Sequence, residues 1–137
     1  MKRVLFVCTG NRARSQMAEG LLRHLAGGRF EAHSAGTIPS GLADETVAVM
    51  QEIGVDVSGQ RSQHVDEYAV ERFEYVITVC DVARESCPVF PGGGTRLHWS
   101  IEDPSDGYAR GDTLLDAFRA ARDDLRGRIE KFVREEG

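Results

Sequence analysis

The chain lacks any long apolar stretch. Its 137 residues hold nothing near the roughly 18 to 20 consecutive apolar residues that a membrane helix requires, so neither a span nor a membrane partner is expected. The apolar part of the start, Val4 to Val7, is too short for a secretory leader and reads instead as a first strand. There is no internal repeat and no low-complexity tract, which removes the solenoid and fibrous classes. Positive charge is not in excess: 17 Lys and Arg stand against 22 Asp and Glu, a net charge of −5, and a mixed acidic surface is not that of a general nucleic-acid binder. Any anion site must be local. Cysteine is scarce, and Cys8, Cys80 and Cys87 cannot all pair internally. They are too few for a secreted disulfide scaffold, so reduced cytoplasmic thiols with a chemical role are expected.

What remains is one ordinary domain. A chain of this length buries a little under about 70% of its unfolded surface, and its hydrophobic content of 41% suffices for a core without metal or disulfide staples. Arg3–Val7 is a short β-rich run, and Gln16–Leu25 carries Met17, Ala18, Leu21, Leu22 and Leu25 at helical spacing. Phe30–Ala35 reads as a second strand ending at Gly36. Asp44–Ile53 reads as a helix with Gly54 as its C-cap, and Val65–Arg72 as a weaker helical stretch. Tyr75–Val79 and Thr95–Trp99 are the third and fourth strands, the latter after a Pro- and Gly-rich loop over Pro88–Gly94. A long helix closes the chain from about Asp112 to Glu136, with Leu114, Leu115, Phe118, Leu125, Ile129, Phe132 and Val133 as its apolar stripe. Short apolar strands separated by helices predict right-handed crossovers, hence an α/β fold with a parallel sheet and helices on both faces. Ligands of such sheets sit at the carboxyl ends of the strands. The rule points to the loops after Val7, Val79 and Trp99, which hold Cys8, Cys80 with Cys87, and Asp103.

The first of these loops, Cys8-Thr9-Gly10-Asn11-Arg12-Ala13-Arg14-Ser15, places a thiol at a strand end and an arginine at the mouth of a helix. Successive backbone N–H groups in a tight turn, followed by a helix N-terminus, make a concave nest for a phosphate-like oxyanion. Arg14 adds a planar fork for two ligand oxygens. The same field favours thiolate over thiol and so a nucleophilic Cys8. Ser15 either caps the helix or hydrogen-bonds the sulfur. The plain alternative is that Cys8 is a small buried hydrophobe and that Arg12 and Arg14 are solvated helix-start charges. For Cys80 and Cys87 the plain alternative is a strand-end residue and a stray loop thiol. Their spacing of seven lacks the short knuckle of structural zinc sites, and His98 is a lone candidate partner.

Val-Cys-Thr-Gly-Asn-x-x-Arg-Ser-x-Met-Ala-Glu-Gly, then Ser34-Ala35-Gly36 and Asp103-Pro104, resembles the low-molecular-weight protein tyrosine phosphatase superfamily over nearly the whole chain. Within it, Cys80, Cys87 and His98-Trp99 resemble the thioredoxin-coupled arsenate reductases. The resemblance implies a four-stranded parallel sheet flanked by helices, with Cys8 as nucleophile and Asp103 as general acid. It also implies that Thr9, Gly10, Asn11, Arg12, Ala13 and Arg14 form the oxyanion cradle, that Asn11 and Ser34 brace the loop, and that Ser15 makes a supporting hydrogen bond.

Reducing arsenate to arsenite takes two electrons, which two thiols supply by becoming one disulfide. Cys8 would attack arsenic, Cys80 would attack the Cys8 sulfur as arsenite leaves, and Cys87 would then take Cys80 into a second disulfide open to thioredoxin. Asp81–Pro88 is expected to be the polar loop that swings outward. No cofactor is implied, and the chain is expected to act as a monomer. Asp-Pro is also a common turn initiator, and Glu102 is the competing acid. Family members can carry a potassium ion near the loop, and Asn11, Glu19 and Ser34 match that site. Arg61 and Gln63 stand where a hydroxyl and a carboxylate are expected, so Arg61 is expected to replace the cation. The competing functions are a phosphatase using Cys8, Arg14 and Asp103, and a non-catalytic oxyanion or redox sensor. Against the first, Ser105-Asp106-Gly107 follow the Asp-Pro pair where dedicated tyrosine phosphatases place aromatics.

Overall fold

The computed structural model describes residues 1–88, 90 and 94–137; most of the expected Pro88–Gly94 loop lies outside the described residues. Four strands, β1 (Lys2–Cys8), β2 (Phe30–Gly36), β3 (Tyr75–Thr78) and β4 (Thr95–His98), form one all-parallel sheet in the order β2-β1-β3-β4. Around it pack α1 (Arg14–Ala26), α2 (Asp44–Gln51), α3 (Asp81–Ser86), α4 (Pro104–Ala109) and α5 (Leu114–Glu136).

Consecutive residues of a strand point to opposite faces. Val4, Leu5, Phe6 and Val7 are all fully buried, so both faces of the sheet are covered, as the continuous apolar run requires. Each such side chain contributes roughly 1.5–3 kcal/mol of burial. On one face Phe6 meets Trp99, and Trp99 and Tyr75 meet Phe132 of α5. On α5 Phe118, Leu125, Ile129 and Phe132 are buried, whereas Leu115, expected in the stripe, is 38% exposed. Thr113 caps this helix by accepting from the Asp116 N–H.

Two expectations are corrected, and one alternative is settled. Asp81–Pro88 is not a free loop, because Asp81–Ser86 form α3. Asp103-Pro104 is not only a turn: Asp103 is the N-cap of α4 and Pro104 its first residue, where a missing N–H costs nothing. The helical stretch from Val65 is a single 3-10 turn over Val65–Tyr68. The register then positions the rim. Cys8 pairs with Gly36, Val7 with Thr78, and Thr78 with His98, so the carboxyl ends of β1, β3 and β4 finish level. The residues after them share one edge.

Candidate active site

The loop leaving β1 is held by its carbonyl groups. Cys8 O accepts from Thr37 N–H, Thr9 O from Ile38 N–H and Gly10 O from Ser40 N–H and the Ser62 hydroxyl. Asn11 O accepts from the Gln16 side chain, and Arg12 O from Ala43 N–H and the Thr46 hydroxyl. Five consecutive carbonyls are thus tied outward, which turns the intervening N–H groups inward toward the sulfur. The Asn11 N–H donates to Cys8 Sγ at 3.2 Å. Asn11 takes a left-handed backbone conformation, φ 44°, which an asparagine tolerates better than most residues. No side chain caps α1, so its N-terminal N–H groups also remain for a ligand. Gly36 permits the packing: a Cβ there would lie 2.5 Å from Thr9 O and 2.8 Å from Asn11 N.

Around the sulfur the polar groups form one buried network. Ser15 Oγ lies 2.8 Å from Cys8 Sγ, so its hydroxyl serves the thiol and not the helix end. The Asn11 amide donates to Ser15 Oγ at 2.8 Å and to Ser34 Oγ at 3.0 Å, and its carbonyl oxygen accepts from Gln63 N–H at 2.8 Å. Ser34 donates to Glu19 at 2.6 Å. Asn11, Ser15 and Ser34 are fully buried, and a lost partner there would leave an unsatisfied polar group.

This donor set does not fit a potassium ion. Glu19 already accepts from Ser34 and pairs with Arg23 at 2.7 Å, and the Asn11 oxygen is engaged. The cation comes from Arg23, one turn along α1, while the Gln63 amide donates to Ser34 O and Tyr68 Oη. Arg61, the expected replacement, points away: its side chain is 71% exposed and reaches Glu67 and Gln63.

Arg14 donates to Ile101 O at 3.0 Å and to Asp103 Oδ2 at 3.4 Å. Asp103 also accepts from the Ser105 N–H and hydroxyl. Burial alone would raise the Asp103 carboxyl, but the Ser105 donors and the Arg14 charge outweigh it and hold it below the ordinary carboxylate range. Glu102, the competing acid, is turned outward into an ion pair with Arg110 at 2.6 Å. Cys8, Thr9, Gly10, Arg12, Ala13, Arg14 and Asp103 line a cavity of about 390 Å³, walled on its far side by Pro104, Leu114 and Phe118. Arg12 is exposed at its mouth beside Glu45.

Thr9, Arg14 and Asp103 are shared with a second cavity, which is lined by Cys80, Asp81 and Val82 on its other side. Cys80 is buried at the N-terminus of α3, where its sulfur accepts from Ala83 N–H and lies 3.4 Å from Thr9 Oγ1. Cys87 is buried just beyond the other end of α3, and all three cysteines are free. Burial pushes the Cys87 thiol up against the partial opposition of the Arg96 guanidinium. Cys8, Cys80 and Asp103 therefore share the expected rim, while Cys87 is held apart by the length of α3. The sequence assigns no function to Thr78, Asp81 or Arg96, and His98 enters it only as a weak metal candidate and as part of the His98-Trp99 resemblance. Their signal is the alternation that puts Arg96 and His98 on one face of β4.

A family model described as low molecular weight phosphotyrosine protein phosphatase matches residues 3–136. An arsenate reductase of Halalkalibacterium halodurans is 36% identical over 132 residues, covering 96% of this chain and 95% of that protein. The solved structure of an arsenate reductase in the oxidized state superposes with TM-score 0.85 at 31% identity, covering all of both chains. That of an arsenate reductase in the phosphate binding state does so with TM-score 0.84 at 32% identity, covering 98% of both.

Proposed function

Because the chain belongs to the low molecular weight phosphotyrosine protein phosphatase family, we propose that it works this family's cradle as an arsenate reductase. Arsenate docks against the loop N–H groups and the Arg14 fork. The Cys8 thiolate attacks arsenic and Asp103 gives a proton to the departing oxygen, which leaves as water. Asp103 meets this role as Arg14 turns to the oxyanion and the negative charge beside the carboxyl grows, both of which raise its proton affinity. Cys80 then attacks Cys8 Sγ. The S–As bond breaks with its electron pair going to arsenic, arsenite departs, and a Cys8–Cys80 disulfide holds the oxidation. Cys87 displaces Cys8 from Cys80 by thiol exchange, and cytoplasmic thioredoxin reduces the Cys80–Cys87 disulfide. One chain suffices, so a monomer is the working unit.

The observation that carries this reading is the contact of Thr9, within the Cys8 loop, with Cys80 Sγ at 3.4 Å. Ester hydrolysis has no use for a second buried thiol at the nucleophile's rim. The test is arsenate-dependent NADPH oxidation with thioredoxin and thioredoxin reductase. Wild type is expected to turn over continuously and Cys87→Ser to stop after about one arsenite per chain; equal turnover in the two overturns the relay.

A residual phosphatase activity is the second reading, favoured by the apolar wall of Pro104, Leu114 and Phe118 beside the cradle, which leaves room for the organic part of an ester. Hydrolysis of p-nitrophenyl phosphate that survives Cys80→Ser and is lost in Cys8→Ser is the expected signature. A sensor would show neither activity.

A further inference from the structure

The relay just proposed needs Cys87 to meet Cys80, and α3 keeps them apart. At about 1.5 Å per residue, the seven residue steps from Cys80 to Cys87 across α3 separate the two Cα atoms by roughly 10 Å, whereas a disulfide needs about 4.4–6.8 Å. The helix must open at one end, and β4 holds both. Arg96 and His98 are two residues apart, so their side chains share a face of the strand. His98 Nε2 donates to Asp81 Oδ1 at 2.8 Å, and its Nδ1 lies in hydrogen-bond contact with the Thr78 hydroxyl at 2.7 Å. Arg96 donates to Pro88 O at 3.2 Å and to Cys87 O at 3.4 Å.

Resting on the arsenate-reductase reading, we propose that Arg96 and His98 are positioning residues of the relay: His98 is the pivot that fixes Cys80, and Arg96 the latch that frees Cys87. The two ties are unequal. The His98 ring is used on both nitrogens, against an acidic side chain on one side and a buried hydroxyl on the other. Asp81 is held below the ordinary carboxylate range by His98 first and the Ser100 hydroxyl next. The segment before α3 is further pinned where Val79 N–H donates to Val7 O and Trp99 N–H to Thr78 O. Arg96 is exposed, and its partners are neutral carbonyls at long range. Opening therefore begins at the Cys87 end. It also carries Cys87 out of the burial that favours its thiol form, so movement and activation come together. In the exchange the Cys87 proton passes to solvent, the S–S bond of Cys8–Cys80 breaks, a Cys80–Cys87 bond forms and Cys8 leaves as thiolate. No electron is gained or lost in this step.

The experiment is alkylation of the reduced full-length protein with iodoacetamide, each cysteine followed separately by peptide mass spectrometry. Arg96→Ala is expected to speed Cys87 labelling by about five- to tenfold with Cys80 unchanged, since only one end of a local opening is loosened. His98→Ala is expected to speed Cys80 instead, and His98→Gln to restore most of its protection. Equal acceleration of both thiols in either variant, or none at Cys87 in Arg96→Ala, overturns the assignment. A single turnover with arsenate then reads the chemistry. Arg96→Lys, which keeps the charge but loses the fork, is expected to pass from Cys8–Cys80 to Cys80–Cys87 faster than wild type with KM for arsenate unaltered; a rate at or below wild type also overturns the latch. If labelling behaves as expected and wild type forms no arsenate-driven disulfide, the arsenate reading fails on its own.

Discussion

The loop from Cys8 to Arg12 and the helix between Cys80 and Cys87 lie on the same rim and are held by opposite means. In the loop every carbonyl is anchored from outside, and the braces beneath it are buried side chains whose partners are all internal. Along α3 only Ala83 is buried among six residues, and an exposed arginine holds the far end. In the proposed reaction the first region would present fixed donors to a transition state, where a displacement of an ångström is costly. Under the proposed relay the second would come apart on each cycle, drawing on the low end of local stability. One rim carries both because the level ends of β1, β3 and β4 bring them together.

The sharpest test of the fixed side is Asp103→Asn. Asparagine keeps the cap on α4, so the fold should stand while the rate of Cys8–arsenate formation in stopped-flow mixing falls about 10²- to 10⁴-fold; a fall under tenfold would remove Asp103 from the chemistry. Next in size is Gly36→Ala, which drives a Cβ into Thr9 O and Asn11 N. It should cost about 2 kcal/mol in urea unfolding and slow the first step, while iodoacetamide labelling of Cys87 stays as in wild type. A change at Cys87 would show that the two regions are not independent. Val82→Ala probes the releasable side at an exposed position of α3. Alanine should strengthen this helix by about half a kcal/mol, slowing the Cys8–Cys80 to Cys80–Cys87 conversion about twofold with the first step unaltered.

The smallest effect concerns the ion pairs that tie Glu52, at the end of α2, to Arg119 and Arg122 of α5. Glu52 is held at about 2 by hydrogen bonds from Arg119 and then Arg122, below its ordinary 4.5. A depressed folded-state value means the contribution is complete above 4.5 and lost as pH falls toward 2. Acid unfolding followed by circular dichroism should therefore be shallower in Glu52→Gln than in wild type through that window. Parallel curves would assign the acid sensitivity elsewhere.

The same contrast explains what could be read from the sequence. β1 and α1 were legible because an apolar run and a helical stripe each have one stable burial, and the loop between them inherits its shape from those anchors. The segment Asp81–Ser86 looks like a loop in sequence because a helix with one buried residue has no periodicity to detect. α4 was hidden by an Asp-Pro pair that serves turns and helix starts equally. Arg61 was misplaced because position in the chain does not fix the direction of a side chain. The spacing of Glu19 and Arg23, four apart on one helix, was the usable signal for the true cation. The residues of the Cys8–Arg14 loop are contiguous in the chain and so visible as a group; the His98 and Arg96 ties join residues 17 and 9 positions apart and leave no local mark.

The five tethered carbonyls have a last consequence, for discrimination. A nest set before its guest arrives greets any tetrahedral dianion alike, and the commonest such guest in a cell is phosphate. Fidelity under the proposed reaction therefore cannot reside in docking. It falls to what sulfur can do afterwards: arsenic takes up an electron pair and departs changed, whereas phosphorus does not and wanders off as it came. Wrong visitors delay this protein without corrupting its product.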